Sequence, residues 1–185
     1  MERFFLGTFF IIFSFLFILY FMPTIGKNNV LNNSINWDNT ISLDAEDLAE
    51  QGIKKIYDQY VVPHLKNYVV KPAEIEELIA IDNAEYRVKV NNKIYFIYNS
   101  DDQKPEYLSW GYATFALFDI VNQQLKDSDY KFYAINNGNE LSGIFMSKDQ
   151  YQQYCHELKV NKDKPSDFPY IPTLEPDWFG QYHEI

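Results

Sequence analysis

Apolar residues follow three different rhythms along this chain. From residue 4 to residue 22 they are continuous: no charge interrupts a run dominated by Phe, Ile and Leu. At about 1.5 Å per residue such a run nearly crosses a hydrocarbon core of about 30 Å, so residues 1–22 are expected to form a transmembrane helix. From 42 to 62 the spacing is helical. Ala45, Ala49, Ile53, Ile56 and Tyr60 share one face, with Asp47, Gln51, Lys54 and Asp58 opposite. Ser42 or Asp44 can cap this helix, and Pro63 is expected to end it. Over 74–82, 86–90 and 93–98 the period drops towards two, the mark of half-buried strands.

The remaining elements follow by the same rules. Asn91-Asn92 signals a hairpin, because Asn tolerates positive φ; Tyr86, Val88 and Val90 then face one way and Arg87 and Lys89 the other. A second helix is expected over 106–125. Leu108, Tyr112, Phe115 and Ala116 occupy one side of it, and Trp110, Ala113, Leu117 and Val121 lie across. A helix apolar nearly all round must be covered nearly all round, by other elements or by a partner. Another hairpin spans 130–135 and 141–147, and a third helix, 148–158, buries Tyr151, Tyr154, Cys155 and Leu158. From 161 onwards Pro165, Pro169, Pro172 and Pro176 alternate with Phe168, Tyr170, Trp178, Phe179 and Tyr182, which suits an extended strap pressed onto the domain. There is no internal repeat. The expected fold is α+β: an antiparallel sheet of about five strands with two to three packed helices, preceded by the transmembrane helix. The expected divisions are anchor 1–22, flexible spacer 23–41, globular domain 42–160 and strap 161–185.

Two readings compete for the N-terminus. Thr24-Ile25-Gly26 can serve as a small-x-small cleavage site, but the apolar run exceeds the usual signal core of about 7–15 residues. An uncleaved signal anchor is therefore the expectation, with export to the periplasm after cleavage as the alternative. The sole cysteine, Cys155, is far from this end, against a lipoprotein. Arg3 precedes the span, whereas after it Lys27 stands alone until Lys54, with Asp38, Asp44, Glu46 and Asp47 between. That bias puts the N-terminus inside and the domain outside, which in a bacterium means a single-pass inner-membrane protein facing the periplasm.

Net charge is −10, and residues 1–26 hold one acid and one base, so the excess of acid belongs to the rest of the chain. Such acidity opposes nucleic-acid binding, which rests on neutralising phosphates with Lys and Arg. It suits a basic protein partner, or serves solubility alone. One cysteine allows no internal disulfide, so a hydrophobic core must supply the stability.

Candidate chemistry is sparse. Cys155 and His156 are helix neighbours about 100° apart and do not face one another. His64, His156 and His183 show no zinc spacing. Asp101, Asp102 and Glu106 lack the calcium-loop pattern and read as a solvated loop at a helix N-terminus. Asp119 falls among Leu108, Tyr112 and Phe115; a carboxylate there sits at the rim, is paired, or faces a binding surface. Asn136-Asn137-Gly138-Asn139 joins two strands, unlike a phosphate-binding loop, which leads into a helix. No cofactor or metal is expected.

The segments SWGYATF (109–115), YKFYAINNGNELSGIF (130–145), FPYIP (168–172) and WFG (178–180) resemble small bacterial immunity proteins, which neutralise toxins delivered by contact-dependent or type VI secretion systems. The resemblance covers roughly 105–183. It implies a non-enzymatic binder of a cognate toxin, in a place that an N-terminal anchor fits. On that reading Asp101, Asp102, Glu106 and Asp119, with Asn136, Asn137 and Asn139 of the hairpin turn, are the candidate partner-binding residues. An envelope scaffold or secretion-machine subunit is the alternative. A small hydrolase using Asp119, or another carboxylate with a histidine, is a third. Oligomeric state is not legible.

Overall fold

The computed structural model describes residues 39–80, 84–101, 107–161 and 168–174. The apolar N-terminal run, most of the spacer, Asp102, Glu106 and the tail from Glu175 lie outside these residues. Among the described residues no helix is long and apolar enough to cross a membrane.

The order is β1 (Ile41–Ser42), α1 (Ala45–Glu50), α2 (Ile53–Ile56), a π-helical stretch (Tyr57–Val61), α3 (Val62–Leu65), β2 (Glu76–Ile79), β3 (Glu85–Val90), β4 (Lys93–Asn99), α4 (Tyr107–Gln124), β5 (Tyr130–Ile135), a 3-10 turn (Gly138–Glu140), β6 (Ser142–Ser147) and α5 (Lys148–Asn161). The class is α+β, as expected, but the single sheet of about five strands is not formed. There are two three-stranded antiparallel sheets, β2-β3-β4 and β1-β6-β5. The reason is α4. It lies between the two hairpins in sequence and packs on both β4 and β5. Those two strands are kept from pairing with each other. The short strand β1 begins at Ile41, the last residue assigned to the spacer, and pairs with Gly143 and Ser142 of β6.

The first helix is broken rather than continuous. Asp44 caps α1, accepting from the N–H groups of Glu46 and Asp47. Gly52 then takes φ 99°, a conformation open to glycine at little cost, and the chain restarts as α2. The start of α2 is capped from the sheet. Ile53 N–H donates to the Tyr86 hydroxyl at 2.8 Å, Tyr86 donates to Glu77 Oε1 at 2.6 Å, and Lys54 N–H donates to the same oxygen at 3.0 Å. Burial, reinforced by the bond to Glu77, raises the Tyr86 hydroxyl pKa, so it stays a donor. A Cβ at residue 52 would lie 2.7 Å from that Glu77 oxygen.

Pro63 does not end the helix. The preceding turn is π-helical, with Val62 N–H reaching Tyr57 O, and this widening removes the clash a proline makes with the carbonyl four residues back. It also rephases the buried face. Tyr57 and Val61 are wholly buried, while Tyr60, expected in the core, is 48 % exposed.

The main core gathers α1, α2, the inner face of β2-β3-β4, α4 and one face of β1-β6-β5. No described side chain of α4 from Leu108 to Asn122 is fully exposed, so the covering demanded by its composition is provided. A second cluster sits on the opposite face of β1-β6-β5. Tyr133, Ile135, Ile144 and Met146 meet Tyr154, Cys155 and Leu158 of α5, together with Phe168 of the strap. Within 168–174, Tyr170 exchanges both backbone hydrogen bonds with Ala134, at 2.7 and 2.8 Å. Trp178, Phe179 and Tyr182 lie outside the described residues.

Candidate functional site

The expected site residues fall in three separate places. Asp101 is exposed just past β4, its N–H bonded to Asn99 Oδ1 at 2.9 Å. Asp102 and Glu106 belong to the segment outside the described residues. Asp119 meets the other end of β4: its Oδ2 accepts from Lys93 Nζ at 2.6 Å and from the Tyr95 hydroxyl at 2.7 Å, and its Oδ1 from Gln123 Nε2 at 3.3 Å. At about 3.3 Å per residue, β4 keeps these two ends roughly 20 Å apart. The 136–139 turn belongs to the other sheet.

Asp119 is thus the paired case of the three open to it. Burial alone would push its carboxyl up, but the bonds from Lys93, Tyr95 and Gln123 outweigh burial and hold it below the usual aspartate value. Lys93 also lies 4.6 Å from the centre of the Tyr95 ring. Three donors, one of them the lysine that also lies over the Tyr95 ring, engage this carboxylate within the fold.

The turn is different. Asn136 (φ 57°) and Gly138 (φ 56°) both take the left-handed conformation, which Asn and Gly tolerate best. The backbone carbonyl of Asn136 accepts from the Tyr170 hydroxyl at 2.8 Å, so the strap holds the turn from behind. Burial raises that hydroxyl to about 12. Asn137 and Asn139 project to solvent. Asn139 Nδ2 donates to Glu46 Oε2 at 3.4 Å, tying the turn to α1.

That contact joins two acid-bearing elements: α1 and its cap carry Asp44, Glu46, Asp47 and Glu50, and the 3-10 turn that α1 packs against carries Glu140. Neither 39–53 nor 132–147 contains a lysine or arginine. Asp44 is occupied in capping, and Asp47 accepts from Gln51 Nε2. Glu50 and Glu140 are exposed, and Glu46 is half-buried beside Asn139. Sequence reasoning put the turn in a candidate site but left out Glu46, Glu50 and Glu140. For Glu46 and Glu50 the signal is the stretch without a base between Lys27 and Lys54.

Other candidates resolve structurally. Cys155 is buried beside Tyr151, and burial raises its thiol pKa. His156 is exposed, as its helical phase requires. Among the described residues no group of three His, Cys, Asp or Glu side chains is placed to hold a metal ion. Comparison of the chain with protein-family models, with characterised proteins and with solved structures finds no match.

Proposed function

We propose that this chain is a membrane-anchored, non-catalytic protein binder of the immunity type, held at the inner membrane with its domain in the periplasm, where it captures a cognate toxin through a basic surface of that toxin. The observation that carries this reading is the acidic face of α1 and the 138–140 turn. There, two segments that carry acids and no lysine or arginine, 39–53 and 132–147, meet through the Asn139–Glu46 bond. Charge of one sign on a packed element raises the encounter rate with the opposite sign and disfavours like-charged partners. Exposed Asn137 and Asn139 add amide donors and acceptors at its edge. The resemblance of 105–183 to immunity proteins and the apolar run of 4–22 support the same reading.

The test is capture of a toxin by the full-length chain, using the product of the adjacent gene and envelope extracts as sources. The expected result is a stoichiometric complex whose association slows as salt rises. The combined variant Glu46→Lys, Glu50→Lys and Glu140→Lys should weaken it about a hundredfold, the scale of several lost charge pairs. No complex, or one indifferent to salt and to the triple reversal, would sink the reading.

A further inference from the structure

The chain contains a single Asn-Gly pair, Asn137-Gly138, and it stands in the turn between β5 and β6. Asparagine is among the chemically labile residues. Its amide is lost when the backbone nitrogen of the next residue reaches its Cγ, and a following glycine, with no Cβ, gives that nitrogen the clearest approach.

The fold decides which asparagines are open to this attack. At several of them the attacking nitrogen is already donating a hydrogen bond. Tyr68 N–H, after Asn67, goes to Leu65 O at 2.9 Å; Ser100 N–H, after Asn99, goes to Ala84 O at 2.7 Å; Glu140 N–H, after Asn139, goes to Asn137 O at 3.1 Å. Asn122 lies within α4, where the helical ladder occupies the next N–H. Asn91, Asn92 and Asn136 are each followed by a residue with a side chain on the approach. Asn137 has none of these protections. Gly138 N–H makes no hydrogen bond to the described residues, and the Asn137 side chain is exposed and does not cap the 3-10 turn. A Cβ placed at Gly138 would meet no atom within 4 Å, so nothing crowds the rotation that brings its nitrogen to Cγ.

We propose that Asn137 is a self-modification site, where the turn exchanges a neutral amide for a carboxylate without an enzyme. Gly138 N loses its proton and bonds to Asn137 Cγ. The Cγ–Nδ2 bond breaks, and ammonia carries the proton away, leaving a succinimide ring. Water then opens the ring. Attack at Cγ restores the ordinary backbone with aspartate at 137. Attack at the backbone carbonyl leaves the chain running through Cγ, as isoaspartate, a methylene longer. Nothing is oxidised or reduced. Either product adds a negative charge to the turn that carries Glu140 and meets Glu46 through Asn139. Isoaspartate also lengthens the path between Asn136, held by the Tyr170 hydroxyl, and the Asn139–Glu46 bond. The consequence for partner capture rests on the binding role proposed for this face; the chemistry does not.

The test ages the full-length chain in zwitterionic detergent at mildly alkaline pH and digests it with trypsin, which releases 132–148 as one peptide. Fragment masses should place the amide-to-acid gain at Asn137, and an isoaspartate methyltransferase should label the aged chain. Conversion there should run about tenfold or more faster than at Asn67, Asn99 or Asn139, a barrier difference of about 1.4 kcal/mol. Gly138→Ala should slow it by a similar factor, and Asn137→Gln, which leaves the glycine in place, should remove the methyltransferase label. Conversion is scored with no partner present, so its failure is distinct from a failure of toxin capture. The proposal is overturned if Asn137 stays intact in the folded chain while the excised 132–148 peptide converts, since the fold would then protect the pair. It is also overturned if Asn99 or Asn139 converts as fast, or if the label persists in Asn137→Gln.

Discussion

The two sheets have the same number of strands and the same antiparallel pairing, yet they are buried in different ways. In β1-β6-β5, four consecutive residues are buried on β5 and four on β6. In β2-β3-β4 the burial alternates, with Tyr86, Val88 and Val90 inside and Arg87 and Lys89 only half-covered. The first sheet is covered on one face by α4 and on the other by α5 and the strap. Among the described residues the second is covered on its inner face, and its outer face shows Ile94 at 53 % and Phe96 at 37 % exposure, with Lys89 paired to Glu76 at 2.8 Å. Two-sided burial leaves no slack: Phe132 is stacked 4.6 Å from Phe118 and 4.5 Å from Phe145, and its ring occupies the space that a side chain at Gly143 would need. One-sided burial leaves a surface where substitution is cheap.

Three substitutions bear on this contrast. The largest effect is expected at Gly143→Ala, where a Cβ would fall 2.1 Å from Phe132 Cζ on a ring with no free side to move into. Overpacking of this kind costs about 3 kcal/mol, to be read from the urea midpoint of the full-length chain. A loss below about 1 kcal/mol would mean that the aromatic stack yields, and that the two sheets differ less than their burial implies. Asn122→Ala comes next. The Asn122 amide closes the free edge of β5, donating to Phe132 O and accepting from Phe132 N–H, each at 2.9 Å. Its removal should cost about 1–2 kcal/mol and speed hydrogen exchange at Phe132 above that of its strand neighbours. Unchanged exchange would show that the edge is protected by something else. Smallest is Ile94→Thr on the open face, which keeps a β-branched residue and should change stability by less than about 0.5 kcal/mol. A loss above about 1 kcal/mol would show that this face is covered in the intact protein, and would break the comparison from its other end.

Edge closure also explains why one sheet was expected and two were found. The sequence shows strands but not what lies beside them. β5 presents outward-facing backbone groups at residues 130, 132 and 134. Tyr130 N–H goes to Ser128 Oγ at 3.1 Å, Phe132 to Asn122, and Ala134 to Tyr170. Each partner comes from a helix, a loop or the strap, so the edge is satisfied without a fourth strand. Nothing in the alternation of β4 or β5 distinguishes that outcome from pairing between them. The binding candidates divided for a similar reason. Asp119 was singled out because a carboxylate among apolar neighbours needs an explanation, and the explanation, Lys93 and Tyr95, lies across a long-range contact. The turn at 136–139 was legible through its Asn and Gly residues. Its contact with Glu46 of α1 is not, because Glu46 stands about ninety positions earlier in the chain.

Local periodicity determined by itself the class of the fold, both hairpins with their turns, the inward face of β3, the demand of α4 for cover on every side and the buried stripe of α5. These depend on neighbours two to four residues apart, whose geometry the backbone sets. Tertiary structure alone decided the split into two sheets, the break at Gly52, the passage of the helix through Pro63 with Tyr60 turned outward, the internal pairing of Asp119, and the meeting of α1 with the 138–140 turn. Each of these is a choice between partners distant in sequence. Such choices follow from which contacts fill space and satisfy backbone groups together, and that information is spread over the whole chain rather than held in any one segment.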